Sequence, residues 1–329
     1  PYYYPPWLAL AFVPLLPLGF TGAKLAWLFL CINLLLHAGF LIRSATPAVP
    51  RAVPVVLVPA FALSIRATQM GQTSPLMLFL TALTWSLLRR GRDRAAGAAL
   101  AWLTIKPQLS APWIVAVLLW SARNRRRGVA GGFFITLGLL ALISAAIVPA
   151  WPLRMLRAPV ETPMPTEHFP WIGLSWLLVL RALGLTGPTL VALYAAVALP
   201  VAAAVLRAAL RPSTPPDDLV ATSLLAVPFV APYCQAYDLP LLLIPLVVLL
   251  ERRLPEVVGA TLLFVMVLAP YPHLIRIGEI RLPWLPPQPP PYLTFFWIPL
   301  LLGAAWLTAA LRARAHADPS HHPDAGRTP

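Results

Sequence analysis

The triplet Lys106-Pro107-Gln108 interrupts a run of otherwise apolar residues from 95 to 120. An ionisable side chain at membrane depth needs water, an acidic partner or an anionic ligand, and it marks a functional site by default. Pro107 ends a helix and frees backbone carbonyls, a break tolerated inside a bilayer only where the backbone lines a cavity. A lysine snorkelling to the interface is the competing reading. RATQMGQTSP, 66–75, sets Arg66, Gln69 and Gln72 around Gly71, as a ligand-facing cluster or as a plain polar turn. APYCQAYDLP, 231–240, sets Tyr233, Gln235, Tyr237 and Asp238 between two apolar runs. Asp238 suits a ligand contact or the N-cap of the helix that follows, with Pro240 at an early helical position. HLIRIGEIR, 273–281, offers His273, Arg276, Glu279 and Arg281, where a spacing of three pairs Arg276 with Glu279 in an ordinary surface ion pair. Together, Arg66, Lys106 and Arg276 give one face several cations. Phosphate is the natural guest of such cations, and a lipid-linked phosphate can enter from the bilayer side.

The elements that position these residues are membrane helices. Of the 329 residues, 59% are hydrophobic and 11% charged, against roughly a quarter charged in a soluble domain. Mean hydropathy is +0.76. The fold class is all-α and polytopic, one membrane domain over 1–311 followed by a polar, disordered cytoplasmic tail, 312–329. The formal charge of +14 sits largely in arginines clustered in short loops, a positive-inside pattern and not a nucleic-acid surface. Cys31 and Cys234 lie far apart in or near apolar segments, so they read as small buried hydrophobes, with no disulfide framework and no metal spacing. The three histidines of the tail belong to a solvated segment.

Candidate spans are 23–42, 52–67, 75–89, 95–106, 109–122, 129–149, 187–209, 218–232, 239–250, 255–270 and 292–311, eleven in all. With RRGRDR (89–94) in the cytoplasm, every other basic loop falls on that side, and the three polar stretches and Lys106 fall on the other. Residues 7–20, broken by Pro14 and Pro17, are expected as an interfacial helix, and GLSWLLVLRALGL (173–185) as an amphipathic helix on the surface. The long outer loops are 150–186 and 271–291. A helix from Arg94 climbs about 18 Å to Lys106 and the descent to Arg123 is about 25 Å, which puts Lys106 at the apex of a short hairpin. Asp238 is one of four acidic residues left outside, with Glu161, Glu167 and Glu279. The chain opens PYYYPPW without Met, and parity puts Pro1 outside, so a further helix is expected upstream of it.

YYYPPWLALAFVPLLPLGFTGAKLAWLFL, GQTSPLMLFLTALTWSLLRRGRDRAAGAALAWLTIKPQL and APYCQAYDLPLLLIP resemble, in order and spacing, the membrane glycosyltransferase family 87, also catalogued as domain of unknown function 2029, from residue 1 to about 250. The resemblance implies a GT-C-type transferase similar to the polyprenyl-phosphate-mannose-dependent mannosyltransferases of bacterial cell envelopes. Such a plasma-membrane enzyme moves a hexose from a polyprenyl-phosphate sugar donor to a lipid or glycan acceptor on the non-cytoplasmic face, without cofactor or metal. It implies donor-phosphate contacts from Lys106, Gln108, Arg66, Gln72 and Arg276, and sugar or acceptor contacts from Tyr237, Tyr233 and Tyr4. The family's presumed base is an acidic residue in the first outer loop, which is expected upstream of Pro1; Asp238 is the fallback base. A transporter or lipid flippase, with charges at depth but access alternating between sides, is the second reading. A purely structural membrane subunit is the third, and it has no need of Lys106.

Overall fold

The structure is a computed structural model, and it describes residues 4–153, 157, 173–251, 254–268, 270–271 and 295–317. Among these residues the regular structure is entirely helical. Helix α1 (Pro6–Phe12) passes through a 3₁₀ stretch, Val13–Leu18, into α2 (Gly19–Ala45). The segment 7–20 is therefore a helical extension of the first long helix and not a separate interfacial one. Pro14 and Pro17 tighten the path there without breaking it. Trp7 and Leu8 are buried, with Trp7 edge-on to Trp151 at 5.3 Å between ring centroids.

Next come α3 (Ala52–Ala60) and α4 (Ala62–Gln69), bent by 46° at Phe61, then α5 (Ser74–Arg89), α6 (Asp93–Trp102) and α7 (Pro107–Arg123). They are followed by α8 (Arg127–Ile147), α9 (Trp176–Ala182), α10 (Gly187–Leu210) and α11 (Pro216–Val230). A 3₁₀ turn, Ala236–Leu242, leads into α12 (Leu243–Glu251), and α13 (Glu256–Leu268) and α14 (Trp297–Ala317) complete the chain. Each of the eleven expected spans contains a helix. Among the described residues three, Pro6–Ala45, Arg127–Ile147 and Gly187–Leu210, are long and apolar enough to cross a bilayer, or four if α3 and α4 count as one. Several of the others, α11 and α12 among them, carry a proline inside the helix, and several are walled in by their neighbours; α5 and α12 have most of their residues buried. The long helices instead show apolar side chains outward, among them Phe20, Phe29, Ile135, Leu142 and Leu199. Apolar surface on that scale belongs in lipid.

Two glycines fix the height of the hairpin. A Cβ on Gly97 would overlap the Val129 carbonyl oxygen, and one on Gly132 would overlap that of Arg94. Helices α6 and α8 thus meet backbone to backbone, the close approach that small residues permit between membrane helices. Since α6 leads into Lys106, this contact sets where the lysine ends up. The segment 173–185 does not lie free on the surface: Leu174, Leu178 and Leu180 are buried, and Ser175 caps α9 by accepting from Leu178 N.

Polar groups separate to the two ends of the bundle. At one end Arg89 pairs with Asp217 at 2.9 Å, Arg126 pairs with Asp93, and Glu251 caps the Ala48 and Val49 amides. Lys106, Asp238 and Ser74 meet at the other end. Arg89 and Arg126, from two of the basic loops, lie with the first group, as the charge pattern predicts.

A candidate active site around a buried lysine–aspartate pair

Lys106 caps the start of α7, and Pro107 takes the first helical position, where its missing N–H is no loss. The carbonyl that an N–H at 107 would have satisfied belongs to Leu103. The Ser110 hydroxyl donates to it at 2.8 Å and lies 3.0 Å from the Lys106 carbonyl. The freed carbonyls are met by a serine one turn on, and they need no open cavity.

The Lys106 ammonium does not face a groove. It lies 2.8 Å from Asp238 Oδ1, with the two side chains 3% and 2% exposed. It also sits 5.1 Å from the centre of the Tyr237 ring, a distance at which a cation is attracted to the aromatic face. The Ser74 hydroxyl donates to the same oxygen of Asp238 at 2.7 Å, and the Gln235 amide donates to Oδ2 at 3.1 Å. The Gln235 side chain in turn accepts from the Asp238 amide, a reciprocal capping box at the start of the 3₁₀ turn. Asp238 is thus the third residue of a box whose cap is Gln235, and not itself the N-cap.

This geometry bears on the roles expected from sequence. A buried charge is tolerable when it is paired and its remaining hydrogen-bonding positions are filled, and here both conditions are met. Three donors converge on the Asp238 carboxylate. The void beside it, walled by Leu109, Cys234 and Leu239 among others, measures about 10 Å³, no more than a single water needs.

Around the pair stands an aromatic wall. Gln108 Nε2 donates to the Tyr233 hydroxyl at 2.7 Å. Tyr4 is close enough to Lys106 and Tyr237 to act on both electrostatically. Burial, and after it the Asp238 carboxylate, pushes the Tyr237 phenol above its ordinary range, so Tyr237 keeps its proton and remains a donor. The 231–235 loop is held from outside by α9, through Leu174 N donating to the Cys234 carbonyl and Ser175 Oγ donating to that of Pro232. Next to Gln108 a groove of about 300 Å³ runs between α7, α10 and α11, lined by Ala111, Pro112, Val115, Ala202 and Leu206 among others. Its lining is almost wholly apolar.

Not every residue singled out in the sequence comes to this place. Arg66 and Gln72 make no hydrogen bond or ion pair with the Lys106–Asp238 cluster among the described residues. Arg66 lies in the last turn of α4 with Nε buried and unbonded, and the Gln72 carbonyl accepts from Cys31 Sγ. Gly71, at φ 63°, closes the turn before α5, and its carbonyl accepts from the Trp27 indole. His273, Arg276, Glu279 and Arg281, with Glu161 and Glu167, lie outside the described residues, as does residue 318 onward. Pro1 lies outside them too, and with it the place upstream where the main acidic base and a further helix are expected; description begins at Tyr4. Of the two acids expected as base, Asp238 alone therefore has described surroundings, and there it is already engaged by Lys106, Ser74 and Gln235. Sequence reasoning passed over Ser74, Ser110 and Ser175. The signal for Ser74 was its place directly after the Gly-Gln turn, where a helix N-terminus faces the hairpin apex.

Neither the curated proteins nor the solved structures include a match to this chain. The family model of glycosyltransferase family 87 matches residues 2–232, well over half of the chain, and takes in Tyr4, Ser74, Lys106 and Gln108 while ending short of Tyr237 and Asp238. Helical throughout its described residues, with lipid-facing helices and a buried lysine at one end, the chain belongs to glycosyltransferase family 87 and is a membrane glycosyltransferase.

Proposed function

We propose that the protein transfers a hexose, mannose being the first candidate, from a polyprenyl-phosphate sugar to a lipid or glycan acceptor at the non-cytoplasmic face of the plasma membrane. The observation that carries this reading is the Lys106–Asp238 pair beside an apolar groove whose polar end is Gln108. The prenyl chain would lie in the groove between α7, α10 and α11, and the phosphate at Gln108 and Lys106. A lysine has three donors. Asp238 occupies one, which orients the ammonium and leaves capacity for a phosphate when the tyrosine wall opens.

In the reaction an acceptor hydroxyl attacks the anomeric carbon as the carbon–oxygen bond to phosphate breaks. The hydroxyl proton passes to a base, and the leaving polyprenyl phosphate gains one negative charge. Lys106 is placed to stabilise that added charge in a water-poor site, where preorganised cations count most. Phosphate leaves readily without a general acid. Asp238, surrounded by three donors, is a positioning carboxylate, and the base is another acid. Arg66, Gln72 and Arg276 remain candidates for the phosphate's outer contacts, and Tyr4, Tyr233 and Tyr237 for sugar or acceptor.

The test is transfer of radiolabelled hexose from a purified polyprenyl-phosphate donor by the full chain and by Lys106→Ala. Loss of turnover in a variant that still inserts supports the reading. Turnover equal to the parent, or uptake of the labelled lipid across the bilayer without any glycosidic product, would overturn it.

A further inference from the structure

A second groove lies at the arginine-rich end; its α11 residues, Asp218 and Thr222, stand about 12–18 Å along that helix from Val230, which leads into the site. It measures about 570 Å³ and is walled by α10, α11 and α14, within the range of about 300–1,000 Å³ typical of ligand pockets. Small side chains, Ala203 and Ala204 on α10 and Ala310 on α14, hold it open. Arg207 and Arg211, one turn apart in the same wall, face Thr222 and a single carboxylate, Asp218. Neither guanidinium makes an ion pair among the described residues. Two cations against one anion leave the groove net positive. Its flank is apolar: Leu199 and Leu210 of α10 and Leu307 of α14 all stand exposed on the bilayer side.

A positive, hydroxyl-lined cleft opening onto an apolar helix face, at the end of the bundle where loop arginines gather, matches the two halves of one kind of molecule. We infer that this groove binds an anionic glycerophospholipid, its phosphate on Arg207 and Arg211 and its acyl chains along α10. Basic clefts between membrane helices on the positive side bind anionic headgroups in this way. Bidentate geometry makes arginine the better holder of a phosphate than a point charge would be. The inference is independent of the donor proposed above, since the two grooves occupy opposite ends of α11.

The experiment is native mass spectrometry of the full chain in mixed micelles containing phosphatidylglycerol or phosphatidylcholine, with apparent affinities from titration. Phosphatidylglycerol is retained and phosphatidylcholine is not. Arg207→Ala with Arg211→Ala weakens phosphatidylglycerol binding about tenfold or more, because both charge-assisted contacts to the phosphate are lost. Ala204→Trp fills the groove with its charges intact and weakens binding likewise. Arg123→Ala with Arg127→Ala removes two arginines elsewhere at the same end and leaves the affinity unchanged. Retention of each variant's folded helicity is checked by circular dichroism, and Ala204→Trp stands alone if the arginine pair proves necessary for insertion. Equal weakening by both arginine pairs shows a diffuse positive surface and overturns the inference. So does an unaffected Ala204→Trp, or competition by soluble glycerol phosphate as strong as by the lipid.

Discussion

If Lys106 and Asp238 are bonded in a dry interior, their energies must be strongly non-additive. At 2.8 Å and an effective dielectric near 20, two unit charges attract by about 6 kcal/mol. Removing either partner strands the other, at roughly 3–5 kcal/mol. Lys106→Met and Asp238→Leu each replace a charge by an apolar group of similar reach, and the void beside Asp238 is already walled by leucines. The double variant leaves no stranded charge, so it should be more stable than the sum of the singles by about 3–6 kcal/mol. The Ser74 hydroxyl loses its acceptor in both Asp238→Leu and the double variant. That loss, about 1–3 kcal/mol, cancels from the coupling. Reversible unfolding in mixed micelles across the four proteins measures it. A coupling below about 1 kcal/mol would mean a wet, screened pair and would refute the reasoning. Activity separates structure from chemistry: all three variants should be inactive, including the stable double.

Other outcomes follow from single contacts. Gly97→Leu drives a side chain into the Val129 backbone and should lower stability by at least about 2–3 kcal/mol, seen as a lower unfolding midpoint. Ser110→Ala removes one of two donors to the Leu103 carbonyl, leaving the Lys106 amide at 3.2 Å, and should cost about 0.5–1.5 kcal/mol by the same measurement. Gln108→Leu removes the bond to Tyr233 and a proposed phosphate contact, so kcat/KM for the lipid donor should fall about 3–10-fold with the fold intact.

Much of this was legible beforehand. The helices could be read because apolar runs and loop arginines alternate, and the family because three stretches keep their order. Lys106 and Asp238 were both visible as charges out of place. Their partnership was not, since the two residues stand 132 positions apart and sequence spacing carries no record of which helix ends meet. The requirement that a buried lysine find an anion pointed to an acidic partner or an anionic ligand, and it could not choose between them. The eleven expected spans each contain a helix, while three of those helices, or four with the bent pair, are long and apolar enough to cross a bilayer by themselves among the described residues. A short helix such as α12, with Pro240 just before it and Pro245 within it, is apolar up to its final Glu251, yet in the fold it is clothed by other helices. The 3₁₀ stretch at Pro14 and Pro17 shows the converse, two prolines that reshape a helix without ending it.

The central claim is that the Lys106–Asp238 pair serves sugar transfer from a lipid phosphate. It is tested most directly by following one purified protein with two donors, a polyprenyl-phosphate hexose and the corresponding nucleotide sugar, alongside Asp238→Asn. The account predicts glycosidic product and free polyprenyl phosphate from the lipid donor alone, and none from Asp238→Asn, whose amide cannot hold the ammonium in place. Product from the nucleotide sugar, or undiminished transfer by Asp238→Asn, would contradict it.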